Sequence, residues 1–357
     1  MPSSRRPVAE MRKEHCPGLN PRRLVTLMRA AIERCRLNLD GTVVLTEAAT
    51  GAYVVTPVLA AMAGARHIYA LTRSSRYGSV EDVTIATLAL GELAGVADRL
   101  SILTERREDI FRQADIVTNS GHVRPLDATA IGWMRPTAVI PLMYEAWEFR
   151  PGDVDVQACR AKGIAVVGTN ERHPDVDVFS YLGIMAVKLL LDAGVAVYGS
   201  RLALLCDNPF EPYIRRGLTG AGASVIVSRQ LDELALDCDT DAIVVALRPK
   251  AEPVFGRREA ELTRMRCPGA VVAQYWGDVD RAALAESGIS VWPAAAPSPG
   301  HMGILPSAIG PEPIVRLQAG SLKAAQELLR PTEPRGRQAQ EVFEVVVPPK
   351  TEAVRSC

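Results

Sequence analysis

The chain has 357 residues, and its 41 basic and 41 acidic side chains leave a formal net charge of zero. Phosphate contacts need a local surplus of Lys and Arg, so this balance argues against a nucleic-acid-binding protein. The seven cysteines are scattered and form no CxxC pair, which favours neither a zinc site nor a disulfide framework. Because no apolar run is long enough for a membrane span and the N-terminus lacks a secretory pattern, we expect a cytoplasmic protein that does not bind membranes.

The first half of the chain has the pattern of an α/β sheet. Apolar side chains recur at helical spacing between Asn20 and Cys35, which predicts a helix that begins at Asn20. Residues 42–71 then give a strand, a turn of small residues, a helix and a second strand, a βαβ unit whose strands lie parallel. Further strands are predicted at 100–103, 116–119, 138–141 and 164–167.

The second half repeats this pattern. The run Gly152-Asp-Val-Asp155, with Gly163 after it, returns as Gly277-Asp-Val-Asp280, with Gly288 at the same interval. Strands are predicted at 201–206, 224–227, 242–246, 270–273 and 289–292. We therefore predict an α/β protein with two related Rossmann-like, parallel-sheet domains.

Two apolar stripes at helical spacing connect the predicted domains. One predicts a helix over 175–193, and the other a returning helix after Gly310. Two such connections imply a double hinge with a cleft between the domains. The apolar run 342–347 either adds an edge strand or contacts a partner. The expected division is an arm at 1–19, a first domain at 20–174, an interdomain helix at 175–197, a second domain at 198–309, a returning helix at 310–330 and a tail at 331–357.

The order of these segments resembles the D-2-hydroxyacid dehydrogenase superfamily, which includes the formate and glycerate dehydrogenases. The run 153–170, with the helix after it, is similar to that family's exit from the first domain, and 268–284 is similar to a strand and helix of its second domain. Ser298-Pro-Gly-His301 stands where the family has its acid–base histidine. The resemblance implies a nicotinamide cofactor, a small polar substrate, catalysis by His301 and a homodimer.

Two positions depart from the family pattern. A Gly-x-Gly-x-x-Gly turn should open the second domain, but Cys206-Asp-Asn-Pro-Phe-Glu-Pro-Tyr213 contains no glycine, and Asp207 brings a negative charge. The stretch Gln274-Tyr-Trp-Gly277 lacks the family's substrate-binding arginine. Tyr275 and Trp276 are instead expected to stack on a planar ligand or to pack within the protein.

The first domain has its own candidate cofactor turn. Thr46, Glu47, Thr50 and Gly51 lie between a strand and a helix, where backbone N–H groups face a ligand crevice. The loop after the next strand holds Arg73, Ser74 and Arg76, which suit the 2′-phosphate of NADP better than the ribose of NAD. The alternatives are an exposed polar loop or another anionic ligand.

Three polar clusters follow later strands of the first domain. Because the carboxyl ends of parallel strands share one sheet edge, we expect the clusters to face a common ligand. His122, Tyr144 and Glu145, together with His301, are the predicted catalytic residues. The predicted substrate-binding residues are Asn119, Ser120, Arg124, Asn170, Glu171, Arg172, His173, Tyr275 and Trp276.

These residues predict an NAD(P)-dependent oxidoreductase-like enzyme that acts on a small polar metabolite in an interdomain cleft. The missing glycine turn leaves two alternatives open: a non-redox lyase, cyclase or isomerase that uses His and Glu as acid and base, or a metabolite-binding protein without turnover. Histidine spacing typical of a metal site is missing, so no metal is expected.

Overall fold

The computed structural model describes residues 17–330 and 343–348, which form two units. The first unit combines the chain up to Val178 with the chain from Gly310 onward, and the second is the continuous stretch Phe179–Ile309. The expected cleft, the expected domain boundaries and the homodimer stay predictions. No helix within the two described ranges is long and apolar enough to span a membrane.

The first unit is built on a seven-stranded sheet in the order β12-β6-β5-β4-β1-β2-β3. Strands β1 to β6 run parallel, and β12 is antiparallel to β6. The strands are β1 Val43–Glu47, β2 His67–Leu71, β3 Leu100–Leu103, β4 Ile116–Val117, β5 Val139–Pro141, β6 Ala165–Thr169 and β12 Phe343–Val347. The helices are α1 Pro21–Cys35, α2 Val55–Met62, α3 Val80–Ala94, α4 Glu108–Gln113, α5 Ala128–Trp133, α6 Val156–Lys162 and α11 Glu312–Leu329.

The helices begin where the sequence supplies caps, and the strands are apolar on both faces. Asn20 accepts hydrogen bonds from the first backbone N–H groups of α1, and Ser79 forms a capping box with Asp82 at the start of α3. Every residue of β1 is buried, as expected for a parallel strand covered by helices on both sides.

The apolar run 342–347 was predicted either to add an edge strand or to contact a partner, and β12 confirms the edge strand. The first residue of the run, Val342, lies outside the described residues. The pairing of β12 with β6 shifts register between Val345 and Val347. Side chains alternate along a strand, so the shift turns the later residues to the other face. Phe343 accordingly packs with one hydrophobic cluster and Val347 with the other, and the strand stabilises both sides of the sheet.

The second unit has a five-stranded parallel sheet in the order β11-β10-β9-β7-β8. Its first strand lies between its second and third, which is the order of flavodoxin-like doubly wound sheets. The strands are β7 Arg201–Cys206, β8 Ser224–Ser228, β9 Ala242–Ala246, β10 Val271–Trp276 and β11 Val291–Trp292. The helices are α7 Leu182–Asp192, α8 Glu211–Gly220, α9 Arg257–Arg266 and α10 Arg281–Glu286.

The repeated sequence occupies matching places in the two units. Asp155 accepts a hydrogen bond from the third backbone N–H of α6, and Asp280 does the same for α10. Val154 bridges to Leu126, as Val279 bridges to Phe255. The prediction of two Rossmann-like parallel-sheet halves is confirmed.

The helix expected over 175–193 is shorter than predicted. Asp177 has φ 51°, a left-handed conformation that a right-handed helix cannot contain. A 3₁₀ turn, Phe179–Tyr181, follows, and α7 begins only at Leu182. The apolar spacing was right for α7, but periodicity gave no sign of the bend at Asp177.

Candidate functional site

The two neighbouring strands β1 and β4 mark a topological switch point in the first unit. From β1 the chain continues through β2 and β3 on one side, whereas β4, β5 and β6 lie on the other. This is the 3-2-1-4-5-6 order of dinucleotide-binding sheets, whose ligands lie outside the carboxyl ends of the strands at that point. The loops after β1 and β4 are therefore the natural centre of a site.

The turn after β1 carries unused hydrogen-bond donors. Within the described chain, the backbone N–H groups of Ala49, Thr50 and Gly51 donate to no acceptor. Gly51 has φ +64°, and a methyl group built on it would meet nothing within 4 Å, so the turn has open space beside it. Thr50 donates its hydroxyl to the carbonyl of Tyr77. An anion could accept from the three N–H groups.

Glu47, the last residue of β1, reaches across the switch point. A Cβ built on Gly121 would lie 1.4 Å from Glu47 Oε2, so the carboxyl group lies directly against this glycine. Burial raises the pKa of Glu47 to about 7, against the opposing effects of Arg124 and of the His122 backbone N–H that donates to the carboxylate. Near neutral pH this group can therefore both accept and donate a proton.

A buried network of hydroxyl groups lies next to Glu47. Thr118 Oγ1 is 2.8 Å from Thr46 Oγ1 and 2.7 Å from Ser120 Oγ. Asn119 accepts a hydrogen bond from the Met143 backbone, but its buried Nδ2 has no partner in the parts of the chain that the structure describes. A buried amide without an acceptor is costly, which makes Asn119 a candidate ligand group. Thr46 is instead part of the internal network.

Arg73 connects the loop after β2 to the loop after β4. Its guanidinium donates to the carbonyl of His122 at 3.3 Å. Burial, and then the positive charge of Arg73, lower the pKa of His122, so its imidazole is neutral at physiological pH. Arg76 lies over the ring of Tyr77, 4.7 Å from its centroid, and Ser74 accepts a long hydrogen bond from Val80. The structure thus brings Arg73, predicted for a cofactor, to His122, predicted for catalysis.

Tyr144 and Arg124 are held by one internal acid. The Tyr144 hydroxyl donates to Asp153 at 2.9 Å, and Arg124 pairs with the same carboxylate oxygen at 3.1 Å. Burial and the charge of Asp153 raise the pKa of Tyr144 well above its usual value. In the structure Tyr144 thus holds the loop after β5, and its catalytic role stays a prediction. Asp153 itself gave no sequence signal beyond its place in the repeat.

The clusters after β5 and β6 are joined by Glu145. Its carboxylate, 1% exposed, accepts from the Glu171 backbone N–H at 3.0 Å, from Arg172 Nε at 3.1 Å and from the Trp147 indole. Burial raises the pKa of Glu145, and the contacts with Trp147 and Arg172 oppose the rise. These bonds hold the loops after β5 and β6 together, and the catalytic role of Glu145 stays a prediction.

The other members of these clusters also make local contacts. Asn170 accepts from the Arg172 backbone, and His173 Nδ1 accepts from the Asp175 backbone at 3.1 Å. Burial, with the nearby charges of Glu148 and Glu145, raises the pKa of Glu171 well above its usual value.

The predicted site residues of the second unit lie mostly in its core. Tyr275 is fully buried and donates its hydroxyl to the carbonyl of Leu182 at 3.1 Å. The Trp276 indole donates to the carbonyl of Gly300. Neither ring offers a face for a ligand, so we correct both to packing residues. His301 is half-buried, with Nδ1 3.1 Å from the carbonyl of Pro299.

The turn between β7 and α8 does not fit a pyrophosphate. Phe210 N–H donates to Asn208 Oδ1, and Glu211 N–H donates to the Asn208 carbonyl. Pro209 and Pro212 have no N–H to offer. Helix N-termini bind phosphate through such donors, and at these four positions the donors are already used or missing. The sequence-based argument against a conventional dinucleotide site in this unit is strengthened by this geometry.

Sequence reasoning missed Thr118 and Gly121. Gly121 lies between Ser120 and His122, and only the structure gives it a role, as the surface on which the Glu47 carboxyl group rests. A metal centre would need several ligands together, and no group of three or more His, Cys, Asp or Glu residues that could hold a metal occurs in residues 17–330 and 343–348.

Comparison with known proteins gives structural relatives only. No protein-family model matches the sequence, and a search of curated proteins found no match. A dipicolinate synthase polypeptide from Bacillus halodurans aligns at 14% identity with a TM-score of 0.53, over 82% of this chain and 100% of that one. The corresponding polypeptide from Bacillus subtilis aligns at 14% identity with a TM-score of 0.52, over 82% of this chain and 98% of that one. Identities this low establish the fold alone, so the chain shares the fold of these two polypeptides.

Proposed function

We propose that the chain is an NAD(P)-dependent oxidoreductase-like enzyme that acts on a small polar metabolite, and that its first unit binds the dinucleotide. One observation carries this proposal: a sheet in the 3-2-1-4-5-6 order presents three unused backbone N–H groups, on Ala49, Thr50 and Gly51, at its switch point. These donors suit the pyrophosphate of a dinucleotide. In the corresponding turn of the second unit, the N–H groups of Phe210 and Glu211 are already used, and Pro209 and Pro212 have none.

The loop after β2 favours NADP(H) over NAD(H). In dinucleotide-binding sheets this loop meets the adenosine ribose, where an acidic residue selects NAD and an arginine accommodates the 2′-phosphate of NADP. Here the loop supplies Arg73, Ser74 and Arg76 and no acidic residue before Glu81. A bound nicotinamide would supply the hydride acceptor or donor that the side chains of this unit lack.

The residues of this chain would bind the substrate and move its proton. Asn119 Nδ2 and Ser120 Oγ can hydrogen-bond a polar substrate at the end of β4. Glu47 has a pKa of about 7 and His122 is neutral, so either can exchange a proton with a hydroxyl or carbonyl oxygen. His301, on the second unit, stays a predicted proton donor from the sequence resemblance.

Isothermal titration of the whole chain with NADP(H) and NAD(H) tests the cofactor. We expect heat with both and tighter binding of NADP(H), with the preference reduced in Arg73→Ala and Arg76→Ala. Arg29→Ala, an exposed arginine on α1, is the matched control and should bind like the unaltered chain. No heat with either cofactor at millimolar concentration would remove the redox proposal.

The second candidate is a non-redox enzyme that works by acid–base chemistry alone. The specific observation in its favour is Glu47, whose buried carboxyl group occupies the switch point and titrates near pH 7. Native mass spectrometry of freshly purified protein would reveal a co-purifying metabolite. Turnover of that metabolite without nicotinamide, lost in Glu47→Gln, would select this candidate, whereas binding without turnover would indicate a metabolite-binding protein.

A further inference from the structure

Helix α7 carries apolar side chains on both of its faces. The helix packs against α8 and β10, and Met185, Leu189 and Leu190 are buried on that side. On the opposite side Ile184 is 54% exposed and Leu191 is 55% exposed. These two residues lie seven positions apart, about two helical turns, and therefore point the same way. A surface helix normally has a polar outer side, so the outer side of α7 has the composition of a buried surface.

The exposed apolar residues of α7 form a continuous group. Val187 lies between Ile184 and Leu191 on the same side of the helix and is half-buried. We call Ile184, Val187 and Leu191 the outer face of α7. Single exposed apolar residues are common, whereas a contiguous group of them marks an interaction surface. Helix α9 of the same unit shows the ordinary pattern, because most of its exposed residues are charged: Arg257, Arg258, Glu261 and Arg264.

The charges beside the outer face are of opposite sign. Lys188 and Asp192 are the only charged residues of α7, and Lys188 Nζ lies 2.6 Å from Asp192 Oδ1. When two such helices pack antiparallel about a two-fold axis, Lys188 of each helix lies beside Asp192 of the other. The outer face is therefore complementary in charge to a copy of itself, whereas a face with charges of one sign would repel its own copy.

We propose that the outer face of α7 is the contact between two copies of this chain in a two-fold symmetric dimer. The second unit is the continuous stretch Phe179–Ile309 and is described throughout, so no segment of its own remains to cover the face. Two-fold dimers are the commonest oligomers, since a single self-complementary surface is enough to build them. An apolar centre with a charged pair at its edge is also the usual composition of such a contact.

Sedimentation equilibrium of the whole chain, from nanomolar to high micromolar concentration, tests the proposal. We expect a dimer at micromolar concentration. Leu191→Glu brings a charge into the apolar contact twice in each dimer, so the dissociation constant should rise at least about a hundredfold. Met265→Glu is the matched control, because Met265 is 65% exposed on α9 and should leave the dimer unchanged. Circular dichroism should show that both variants are folded, since both side chains are exposed.

An exchange of charges tests whether the outer face meets a copy of itself. Lys188→Glu leaves two negative charges beside the face and Asp192→Lys leaves two positive charges, so each variant alone should dimerise several-fold more weakly. An equal mixture of the two variants should form the mixed dimer in preference to either variant's own dimer, because opposite charges again face each other.

Three results would overturn the proposal: a monomer of the unaltered chain at every concentration, a dimer that Leu191→Glu does not weaken, or no preference for the mixed pair. These measurements need no nicotinamide cofactor, so this proposal and the proposed function fail separately.

Discussion

Among single residues, Gly121 and Glu47 form the tightest contact of the candidate site. Gly121 has φ +35°, and any Cβ there would overlap the carboxyl group of Glu47. Gly121→Ala should therefore destabilise the protein by about 1–3 kcal/mol through overpacking and backbone strain. Gly132→Ala is the control, since a Cβ on Gly132 meets nothing within 4 Å. Urea unfolding of both variants measures the difference, and equal midpoints would contradict the proposed contact.

The raised pKa of Glu47 makes the stability of the protein depend on pH. In the folded state the Glu47 carboxyl group keeps its proton up to about pH 7, whereas the ordinary pKa of a glutamate is 4.5. Unfolding at a pH between these two values therefore releases the proton. Stability therefore falls as pH rises through this window, by up to about 3 kcal/mol, and stays lower above it.

Glu47→Gln removes the titrating group while its amide oxygen can still accept from the His122 backbone N–H. We expect this variant to lose the Glu47 contribution to the pH dependence and to be more stable than the unaltered chain above about pH 7. Thermal unfolding from about pH 5 to about pH 8 gives the comparison, with the exposed Glu92→Gln as control. Parallel pH profiles for the unaltered chain and Glu47→Gln would show that Glu47 titrates normally.

At the scale of elements, β12 stabilises the sheet of the first unit through its buried residues. Phe343 is 8% exposed and Val345 is 46% exposed. Phe343→Ala should cost about 3 kcal/mol, whereas Val345→Ala should change stability by less than about 1 kcal/mol. Denaturant midpoints of the two variants test this, and similar losses would mean that β12 contributes only backbone pairing.

Elements were predictable where local sequence determines them. The apolar runs gave β3, β7 and β9 with their observed bounds, and Asn20 correctly marked the start of α1. The two strand orders were not predictable, because pairing between strands depends on contacts distant in sequence. For the same reason, the sequence could not reveal that Tyr144 bonds to Asp153 and Glu145 to Arg172. We therefore predicted more polar residues at the ligand site than the structure leaves without internal partners.

At the scale of the whole molecule, the first unit is assembled from two separate parts of the chain. Helix α11 is buried along nearly all its length and packs against α1, α2, β5 and β6. A chain that ends at Ile309 should therefore lose protected amides in β1–β6 but keep them in β7–β11. Hydrogen exchange with mass spectrometry measures both sheets at once, and persistent protection in β1–β6 would mean that α11 is dispensable.

The late position of α11 has a consequence for biosynthesis. A ribosome delivers the six parallel strands of the first unit, then the entire second unit, and only afterwards the helix that covers β5 and β6. The nascent polypeptide consequently carries an uncovered apolar sheet face throughout translation of the insert. Such a surface is what chaperones bind, so correct maturation of this protein in a crowded cell depends on protecting that face until synthesis of the last helix is complete.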